Sequence, residues 1–412
     1  MSLLKMFKVA QINSVCGFGS TGKIVTDIHT QLINEGVESI VGYGRGTHRN
    51  IDDDHVYSVG SKVEQAYHLV ASRVFDNHGL HSVNATKKLI AYLERENPDI
   101  YHLHNIHGYY LNYKIFFDFL KRENKPVVWT LHDCWAFTGH CAYFDYAQCE
   151  KWKTQCQSCP EKRAYPKSLL KDNSSVNYSL KKNVFNTLNN LIIVTPSQWL
   201  KSRVEESFLR EYEVEVIPNG INLDIFQPST SCIKKKLNLP EDKLVVLGVA
   251  NIWERRKGLD DFLEIAQGVG EKVQFVIVGL DSNQLKNLPN NVVGLERTNS
   301  VNELVELYSM ADIYLNTTLE DNFPTTNLES LACGTFGITY NTGGSPEAYT
   351  SKTGYVVDKG DKKAVVDFIL VTVENGKLGT QEKCIISAKE KYSHVKAAKS
   401  YLRLYKRIAT RQ

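Results

Sequence analysis

The sequence has no apolar run that approaches the roughly 20 residues which a helix needs to cross a bilayer. Neither sign of charge dominates, since 49 Lys and Arg against 46 Asp and Glu leave a formal net charge of +3, too small to indicate a nucleic-acid partner. Short repeats and low-complexity tracts are also missing, which excludes a repeat array. Residues 1–6 contain no apolar signal core, so we expect a cytoplasmic protein and leave open peripheral contact with the inner face of the membrane.

What is present is the composition of an ordinary globular protein, 42% hydrophobic and 23% charged. A chain of 412 residues is long for one core, and two or three domains are expected. Short apolar segments alternate with helical patterns, which predicts an α/β fold with mostly parallel sheets. The predicted strands form two series: residues 8–12, 39–43, 100–103, 127–131 and 192–195, and then 244–249, 274–278, 291–295, 312–316, 335–340 and 354–357.

Nine cysteines in such a chain indicate reduced thiols rather than a disulfide framework. Four of them lie in one long segment, residues 134–177, that interrupts the first series: Cys141, Cys149, Cys156 and Cys159. A loop of that length needs a fastening of its own or a functional task. A tetrahedral structural zinc site, disulfides and free buried thiols are all compatible with this spacing. We expect the segment to hold too few apolar residues to fold by burial alone.

Two carboxylates, Asp321 and Glu329, flank a Thr-rich loop in the second series. A buried strand is predicted before the loop, over 311–316, and a helix after it, over 327–333, which Gly334 ends. In an open parallel sheet, ligands bind at the carboxyl ends of the strands. Bare amides at a helix start suit a phosphate, and a carboxylate there accepts hydrogen bonds from sugar hydroxyls. A solvated surface loop with two unrelated acids is the alternative.

Three further motifs follow predicted strands. The glycine-rich segment at 17–23 has phosphate-loop spacing, but Ile24 stands where a nucleotide triphosphatase needs a magnesium-binding Ser or Thr. His132 ends a strand of the first series, where it is either a structural residue or part of a site. Arg256 and Lys257 precede Gly258 after the first strand of the second series, and they are either solvated charges or ligands of a diphosphate.

Taken in this order, the motifs resemble those of the retaining glycosyltransferases of family 4, including enzymes of bacterial surface-polysaccharide (colanic-acid-type) synthesis. The resemblance implies the GT-B fold: two doubly wound Rossmann-like domains facing a central cleft, with a last helix that crosses back to the first. We expect an acceptor domain over 1–205 that contains the 134–177 insertion. A nucleotide-sugar domain would span 206–390, and the returning helix 391–412.

The resemblance also assigns roles. It implies that Glu329 binds the ribose, that Lys257 with Arg256 binds the pyrophosphate, and that His132 faces the transferred sugar. His132, Asp321 and Lys257 are thus the expected catalytic residues, although Asp321 replaces a glutamate that is usual in the family. The remaining expected donor contacts are Gly19 and Ser20 in the glycine loop and Asn322, Phe323, Pro324, Thr325 and Thr326 in the acidic loop.

The function thus implied is transfer of a sugar from a nucleoside diphosphate, a UDP- or GDP-sugar, to a glycan or lipid-linked glycan in polysaccharide synthesis. No metal is expected in catalysis, because Asp52, Asp53 and Asp54 lie in a polar loop outside the expected cleft. The cysteine segment, residues 134–177, is expected to form the wall of the cleft on the side where the acceptor binds. Two alternatives remain: a nucleotide-sugar epimerase of the same fold, and a non-catalytic glycan- or nucleotide-binding protein.

Overall fold

A computed structural model describes residues 7–230, 232–376 and 378–410. The chain divides into two compact units. Unit 1 comprises Met1–Pro218 and Val395–Gln412, and unit 2 comprises Asn219–His394. Each unit has its own parallel sheet and its own buried core. Across the ranges that the structure describes, no helix has the length and apolar character needed to cross a membrane.

Unit 1 is built on a seven-stranded parallel sheet in the order β3-β2-β1-β4-β5-β6-β7. The strands are β1 Lys8–Asn13, β2 Glu38–Tyr43, β3 Val56–Ser58, β4 Ile100–Leu103, β5 Val127–Thr130, β6 Leu191–Thr195 and β7 Glu213–Val216. The helices are α1 Gly19–Asn34, α2 Lys62–Phe75, α3 Val83–Glu96, α4 Tyr113–Glu123, α5 Ser174–Phe185 and α6 Gln198–Glu205. The inner strands β4, β5 and β6 are buried along their whole length, as expected where helices cover both faces of a parallel sheet.

Unit 2 repeats this architecture with a six-stranded sheet in the order β10-β9-β8-β11-β12-β13. Its strands are β8 Leu244–Val249, β9 Val273–Val278, β10 Val292–Leu295, β11 Ile313–Asn316, β12 Phe336–Tyr340 and β13 Gly354–Val357. Its helices are α7 Ile233–Lys236, α8 Leu259–Val269, α9 Val301–Met310, α10 Thr325–Ala332, α11 Lys362–Asn375 and α12 Gln381–Lys391. The strand order reverses direction between β8 and β11, which is the position where doubly wound sheets bind ligands.

The last helix, α13 His394–Ala409, packs on the core of unit 1. The Tyr405 hydroxyl lies 2.6 Å from Nδ1 of His102, and the Tyr401 hydroxyl lies 3.1 Å from the Thr130 hydroxyl. All four side chains are buried. Because a buried polar group without a partner is costly, these two contacts fix the register of α13 on β4 and β5.

The α/β class and the two parallel sheets agree with the expectation from the sequence. Two edge strands, β3 and β7, had no apolar run to mark them. Their residues are at most half-buried, so edge exposure removes the continuous apolar pattern that reveals an inner strand. In unit 2, α10 begins at Thr325, two residues before the predicted start of this helix.

The expectation that residues 134–177 hold too few apolar residues to fold by burial was wrong. Trp135, Phe137, Phe144 and Trp152 of this segment are almost fully buried and belong to the main core of unit 1. Phe144 stacks on Trp152 with ring centroids 4.7 Å apart. Aromatic side chains bury a large area each, so a few of them suffice to anchor a long irregular segment.

Candidate active site

The acidic loop and the basic turn of unit 2 meet at one edge of its sheet. Strands β8 and β11 are parallel neighbours, with Val246 beside Ile313, so the segments that follow them emerge side by side. Gly258 permits the close approach: its φ is +71°, and a Cβ there would lie 2.1 Å from the carbonyl oxygen of Thr317. The Leu319 amide also donates to the Arg256 carbonyl at 2.7 Å. This packing places the side chains of Arg256 and Lys257 at the acidic loop.

Asp321 is the point where these charges converge. Its carboxylate lies 2.5 Å from Nζ of Lys257 and 3.7 Å from a guanidinium nitrogen of Arg256. Burial alone would raise the pKa of Asp321, but Lys257 and then Arg256 outweigh it and hold that pKa below its ordinary value. The Asn322 amide donates to the same carboxylate at 2.9 Å. Asp321 is therefore an anion that pairs with both cations, and Arg256 also lies 3.4 Å from the Glu254 carboxylate.

The start of α10 lies directly after this carboxylate. Pro324 occupies the N-cap position, and its side chain forms no capping hydrogen bond to the first amides of the helix. Asn322 and Phe323 are buried, and the Gly344 amide donates to the Asn322 carbonyl at 2.8 Å. The first turn of a helix has amides that point outward and a positive dipole end, which together favour an anion such as phosphate.

Glu329 lies on the second turn of α10, behind this helix start. The buried Tyr308 hydroxyl donates to its carboxylate at 3.0 Å. Burial, and then the Glu329 charge, raise the pKa of Tyr308 well above the ordinary value, so the hydroxyl stays protonated and remains a donor. A carboxylate has about four acceptor sites, so a half-buried one held in this way can accept more than one hydrogen bond, including those from ligand hydroxyls.

In unit 1, His132 follows β5 and is stacked on His104, which follows β4. Nε2 of His132 lies 3.1 Å from Nδ1 of His104, and Nε2 of His104 lies 3.3 Å from Oε1 of Gln11. The Gln11 amide nitrogen donates to the Val25 carbonyl, which assigns its oxygen as the acceptor. His104 then donates to Gln11 and accepts from His132. Burial lowers the pKa of His132 to about 4, so this histidine is neutral at pH 7.

A second polar cluster lies beside His132 and had not been identified from the sequence. Nε2 of His107 lies 3.1 Å from the Asp133 carboxylate, and Nδ1 of His107 lies 2.9 Å from the Tyr165 hydroxyl. Burial would raise the pKa of Asp133, but His107 and the Trp135 amide lower it overall. His107 and Asp133 follow the ends of β4 and β5 closely in sequence, and this position after a strand was the signal by which the sequence could have identified them. Tyr165 comes from the cysteine segment, and nothing in the sequence pattern links it to them.

The glycine-rich loop of unit 1 connects to the same edge. Asn13, at the end of β1, donates to the Thr21 hydroxyl at 3.5 Å and accepts from the Asn105 amide at 3.2 Å. Gly19 and Ser20 form the first residues of α1, and Ser20 is exposed. The structure thus brings Gly19 and Ser20 to the strand ends that carry His104 and His132.

The four clustered thiols of the 134–177 segment line one small cavity together with His140, with room for about one water-sized sphere, about 10 Å³. Cys141 and Cys159 are hydrogen-bonded to each other, and the Cys156 sulfur accepts from the Gly139 amide at 3.2 Å. All four are free thiols. In the described ranges, no three His, Cys, Asp or Glu side chains are placed to hold a metal ion. The geometry of the described residues therefore gives the zinc interpretation no support.

Two family profiles match the chain. Residues 21–225 match the profile described as Glycosyltransferase Family 4, and residues 230–391 match the one described as Glycosyl transferases group 1. The chain belongs to glycosyltransferase family 4. The family expected from the motifs is thus confirmed. The first matched segment contains β2 to β7, and the second contains β8 to β13.

Curated relatives are similar over part of their length. A colanic acid biosynthesis glycosyl transferase named WcaC, from Escherichia coli K12, is 30% identical over 168 residues, which are 38% of this chain and 40% of the relative. A Campylobacter jejuni N,N'-diacetylbacillosaminyl-diphospho-undecaprenol alpha-1,3-N-acetylgalactosaminyltransferase is 28% identical over 214 residues, 48% of this chain and 56% of that protein. The matches thus span about half the length of these two relatives.

Solved structures match almost the whole chain. Sucrose-phosphate synthase from Thermosynechococcus elongatus superposes with a TM-score of 0.72 over 98% of this chain and 100% of its own, at 17% identity. HepE from Anabaena in complex with UDP gives a TM-score of 0.68 over 97% and 99%, at 14% identity. At these identities the likeness establishes the fold, which is GT-B as expected from the sequence.

Proposed function

We propose that this protein is a retaining glycosyltransferase that moves a sugar from a nucleoside-diphosphate sugar to a glycan or lipid-linked glycan in polysaccharide synthesis. The observation that carries the proposal is the meeting of Lys257, Arg256 and Asp321 with the uncapped start of α10. Lys257 and Arg256, which Asp321 and Glu254 hold in place, lie beside the first amides of this helix. Cations and helix-start amides on one side of a site suit a diphosphate.

The donor would bind to unit 2. Its diphosphate would lie against Lys257, Arg256 and the amides that follow Asn322, and its ribose hydroxyls would donate to Glu329. HepE, which has the same fold, has been solved in complex with UDP and with UDP-glucose, which supports a nucleotide-sugar donor. Asp321 would hold the lysine in place until the donor arrives, and would then face the sugar.

The acceptor would bind to unit 1, at the edge that carries Gly19, Ser20 and His132. In a retaining transfer the acceptor oxygen forms its bond to the anomeric carbon on the face that the phosphate leaves. The bond between this carbon and the phosphate oxygen breaks, and the departing phosphate takes the acceptor's proton. Lys257 and Arg256 would stabilise the charge that develops on the leaving diphosphate, without a catalytic metal.

The first experiment is a thermal-shift screen with UDP-, GDP- and ADP-sugars, followed by an assay of nucleotide release and NMR of the product's anomeric centre. We expect stabilisation by a UDP- or GDP-sugar, an α-linked product from an α-linked donor, and turnover that survives EDTA. An inverted product, or activity that EDTA abolishes and manganese restores, would refute the corresponding part of the proposal. Binding without any hydrolysis or transfer would favour a non-catalytic protein.

A lipid-linked acceptor would place the reaction at the inner face of the membrane. The C. jejuni relative is named for an acceptor on undecaprenol diphosphate, which supports this choice. The assay should therefore offer a polyprenyl-diphosphate glycan as well as soluble glycans. Transfer to soluble glycans alone would refute the lipid-linked acceptor and leave the proposed sugar transfer unaffected.

A further inference from the structure

Arg45 of unit 1 is a cation without an ionic partner. It follows β2, its amide donates to the Ser14 carbonyl at 2.8 Å, and its side chain is half-buried. Nε of Arg45 is buried without a hydrogen-bond partner, and no carboxylate that the structure describes lies within ion-pair distance of the guanidinium. Buried polar groups are normally hydrogen-bonded, and a guanidinium presents five N–H donors. An arginine in this state indicates a ligand that supplies the acceptors.

The loop after β4 places this guanidinium beside a tyrosine. A Cβ at Gly108 would lie 3.6 Å from Nη2 and 3.7 Å from Nε of Arg45, so the guanidinium lies along the backbone of this glycine. Gly108 has a φ of +114°, and the next residue, Tyr109, has a φ of +70° although it carries a large side chain. This backbone conformation is costly for a tyrosine, and such strain is concentrated at binding and catalytic sites.

A second arginine acts on the same tyrosine. Arg73, on the last turn of α2, is exposed and forms no ion pair with a residue that the structure describes. Burial raises the pKa of Tyr109, and the charges of Arg73 and then Arg45 oppose this rise, so both guanidinium groups lie near the Tyr109 hydroxyl. Asp133, in the neighbouring polar cluster, pairs with His107 rather than with either arginine. The two cations are therefore both left for a ligand.

Aromatic rings and a further unpartnered donor lie at the same place. The rings of Tyr109 and Tyr165 are 6.5 Å apart, and Tyr165 is 42% exposed. The His78 ring lies 4.6 Å from that of Tyr109. Nε2 of His78 accepts from the Gly108 amide at 3.2 Å, so the neutral ring carries its proton on Nδ1, and this buried Nδ1 has no partner. Aromatic side chains with a few convergent polar groups are the usual lining of small-ligand sites.

This surface adjoins the edge of unit 1 where the acceptor is proposed to bind. The Tyr165 hydroxyl lies 2.9 Å from Nδ1 of His107. Nε2 of His107 lies 3.1 Å from the carboxylate of Asp133, the neighbour of His132. A sugar in contact with Tyr165 is therefore separated from His132 by only two side chains.

We propose that Arg45 and Arg73 bind an acidic sugar of the acceptor, one that carries a carboxylate or a phosphate. Either anion fits the planar fork of a guanidinium through two parallel hydrogen bonds, and such charge-assisted bonds are strong. Tyr109 and Tyr165 provide the aromatic surface on which the sugar ring packs. That this ligand is the acceptor rests on the proposed sugar transfer, whereas the binding of an acidic sugar is tested without donor or turnover.

The test is an NMR titration of the full chain, without donor, with methyl β-glucuronide, glucose 6-phosphate and methyl β-glucoside as probes. The first probe carries a carboxylate, the second carries a phosphate, and the third is an uncharged counterpart. We expect an anionic probe to bind about tenfold more tightly than the glucoside, and salt to weaken its binding. The tighter of the two anionic probes identifies the charged group. If neither binds more tightly than the glucoside, the proposal is overturned, and the proposed sugar transfer then requires a neutral acceptor.

Two variants locate the binding. Arg45→Gln and Arg73→Gln should each weaken binding of the anionic probe about tenfold and leave binding of the glucoside unchanged. Circular dichroism identifies a variant that fails to fold, and the exposed Arg73 still tests the role of the charge if Arg45→Gln does so. Lys257→Ala should bind the anionic probe as the unchanged protein does, because the basic turn of unit 2 is a different site.

The matched control is Arg95→Gln, at an exposed arginine of unit 1 that lies 3.5 Å from the Glu96 carboxylate. This control should bind every probe as the unchanged protein does. Equal binding of the anionic probe by the folded Arg45 and Arg73 variants and by this control would overturn the proposal. Loss of binding in Lys257→Ala alone would also overturn it, since the probe would then occupy the donor side.

Discussion

At the scale of single residues, the donor side of the proposed site is an electrostatic arrangement. Arg256 and Lys257 lie in one turn, and Asp321 lies in another. Lys257 and Asp321 are 64 residues apart in sequence and yet form an ion pair. Asp321 pairs with both cations, and Arg256 also pairs with Glu254, so the carboxylates hold the two cations in place at the loop. The role of each side chain is a prediction that mutation can test.

Replacement of Lys257 by alanine should reduce kcat/KM by about a hundredfold to a thousandfold, which corresponds to about 2 to 4 kcal/mol of transition-state stabilisation. The lysine is expected to meet charge that develops only as the diphosphate leaves, so kcat should fall more than donor affinity. Steady-state kinetics with the donor found in the screen would measure both. Lys272→Ala, an exposed lysine of the same unit, is the control and should be neutral. A change of only a few-fold in Lys257→Ala would assign the role to Arg256 or another cation.

His132→Ala should reduce transfer by about tenfold or more, because a side chain that positions the reacting sugar affects the geometry of the reaction. Donor affinity should stay nearly unchanged, since the diphosphate contacts proposed here all belong to unit 2. Acceptor turnover and the donor-induced thermal shift separate the two effects. His55→Ala, in the short helical turn after β2, is the control. Equal transfer by His132→Ala and the control would leave His132 as a structural residue.

At the scale of elements, the cysteine segment has a distinct chemical pattern. The hydrogen bond from Cys141, and the nearby His140, lower the pKa of Cys159 to about 7 against the effect of burial. Burial raises the pKa of Cys156 to about 12. The hydrogen bond with Cys159 and, as a smaller cause, burial raise the pKa of Cys141 well above its ordinary value. Since the thiolate is the reactive form, the members of the cluster should differ in reactivity.

Brief alkylation of the native protein by iodoacetamide near pH 7.5 should therefore modify Cys159 before Cys141 and Cys156. Mass spectrometry of the digested protein gives the order, and the exposed Cys232 serves as an internal standard for a freely accessible thiol. Elemental analysis of the same sample tests the zinc interpretation separately. About one equivalent of zinc, with all four thiols protected until a chelator is added, would reinstate the metal site and contradict the reactivity order.

At the scale of the whole molecule, the two units differ in their histidine content. Burial lowers the pKa of seven histidines, all in unit 1: His29, His68, His78, His81, His102, His104 and His132. Each has a folded pKa below the value of about 6.5 that it takes in an unfolded chain. Between those two values the unfolded chain binds a proton that the folded chain does not. Stability is therefore highest above pH 6.5 and falls as the pH decreases towards the folded pKa values.

Unit 1 should thus unfold before unit 2 on acidification from pH 7.5 to about 5, with each such histidine contributing up to about 1.4 kcal/mol per tenfold rise in proton concentration. Hydrogen exchange measured during thermal unfolding distinguishes the unfolding of the two units, because each exchanging peptide can be assigned to one unit. His102→Gln should reduce the pH dependence of the stability of unit 1. Lys114→Gln, at an exposed lysine of the same unit, is the control, because it removes no buried imidazole. Equal acid sensitivity of both units would contradict this account.

The sequence by itself determined the architecture and the location of the charged turns. Inner strands of parallel sheets must be apolar on both faces, and this produces continuous apolar runs in the sequence, such as 192–195 and 274–278. Ligand sites of such sheets lie where the strands end, so Lys257, Asp321 and His132 could be selected as candidates from their positions, and the resemblance to the family assigned their expected roles. Family motifs, which are local in sequence, supplied the rest of that prediction.

Only the tertiary structure decided which of these residues meet. The Lys257–Asp321 pair depends on β8 and β11 being neighbours, and the Tyr165–His107–Asp133 contacts depend on how an irregular segment folds back. The same holds for the burial of Trp135 and Trp152. A local pattern records the environment of a strand or a helix. Contacts between segments far apart in sequence depend on strand order and packing, and no local pattern contains that information.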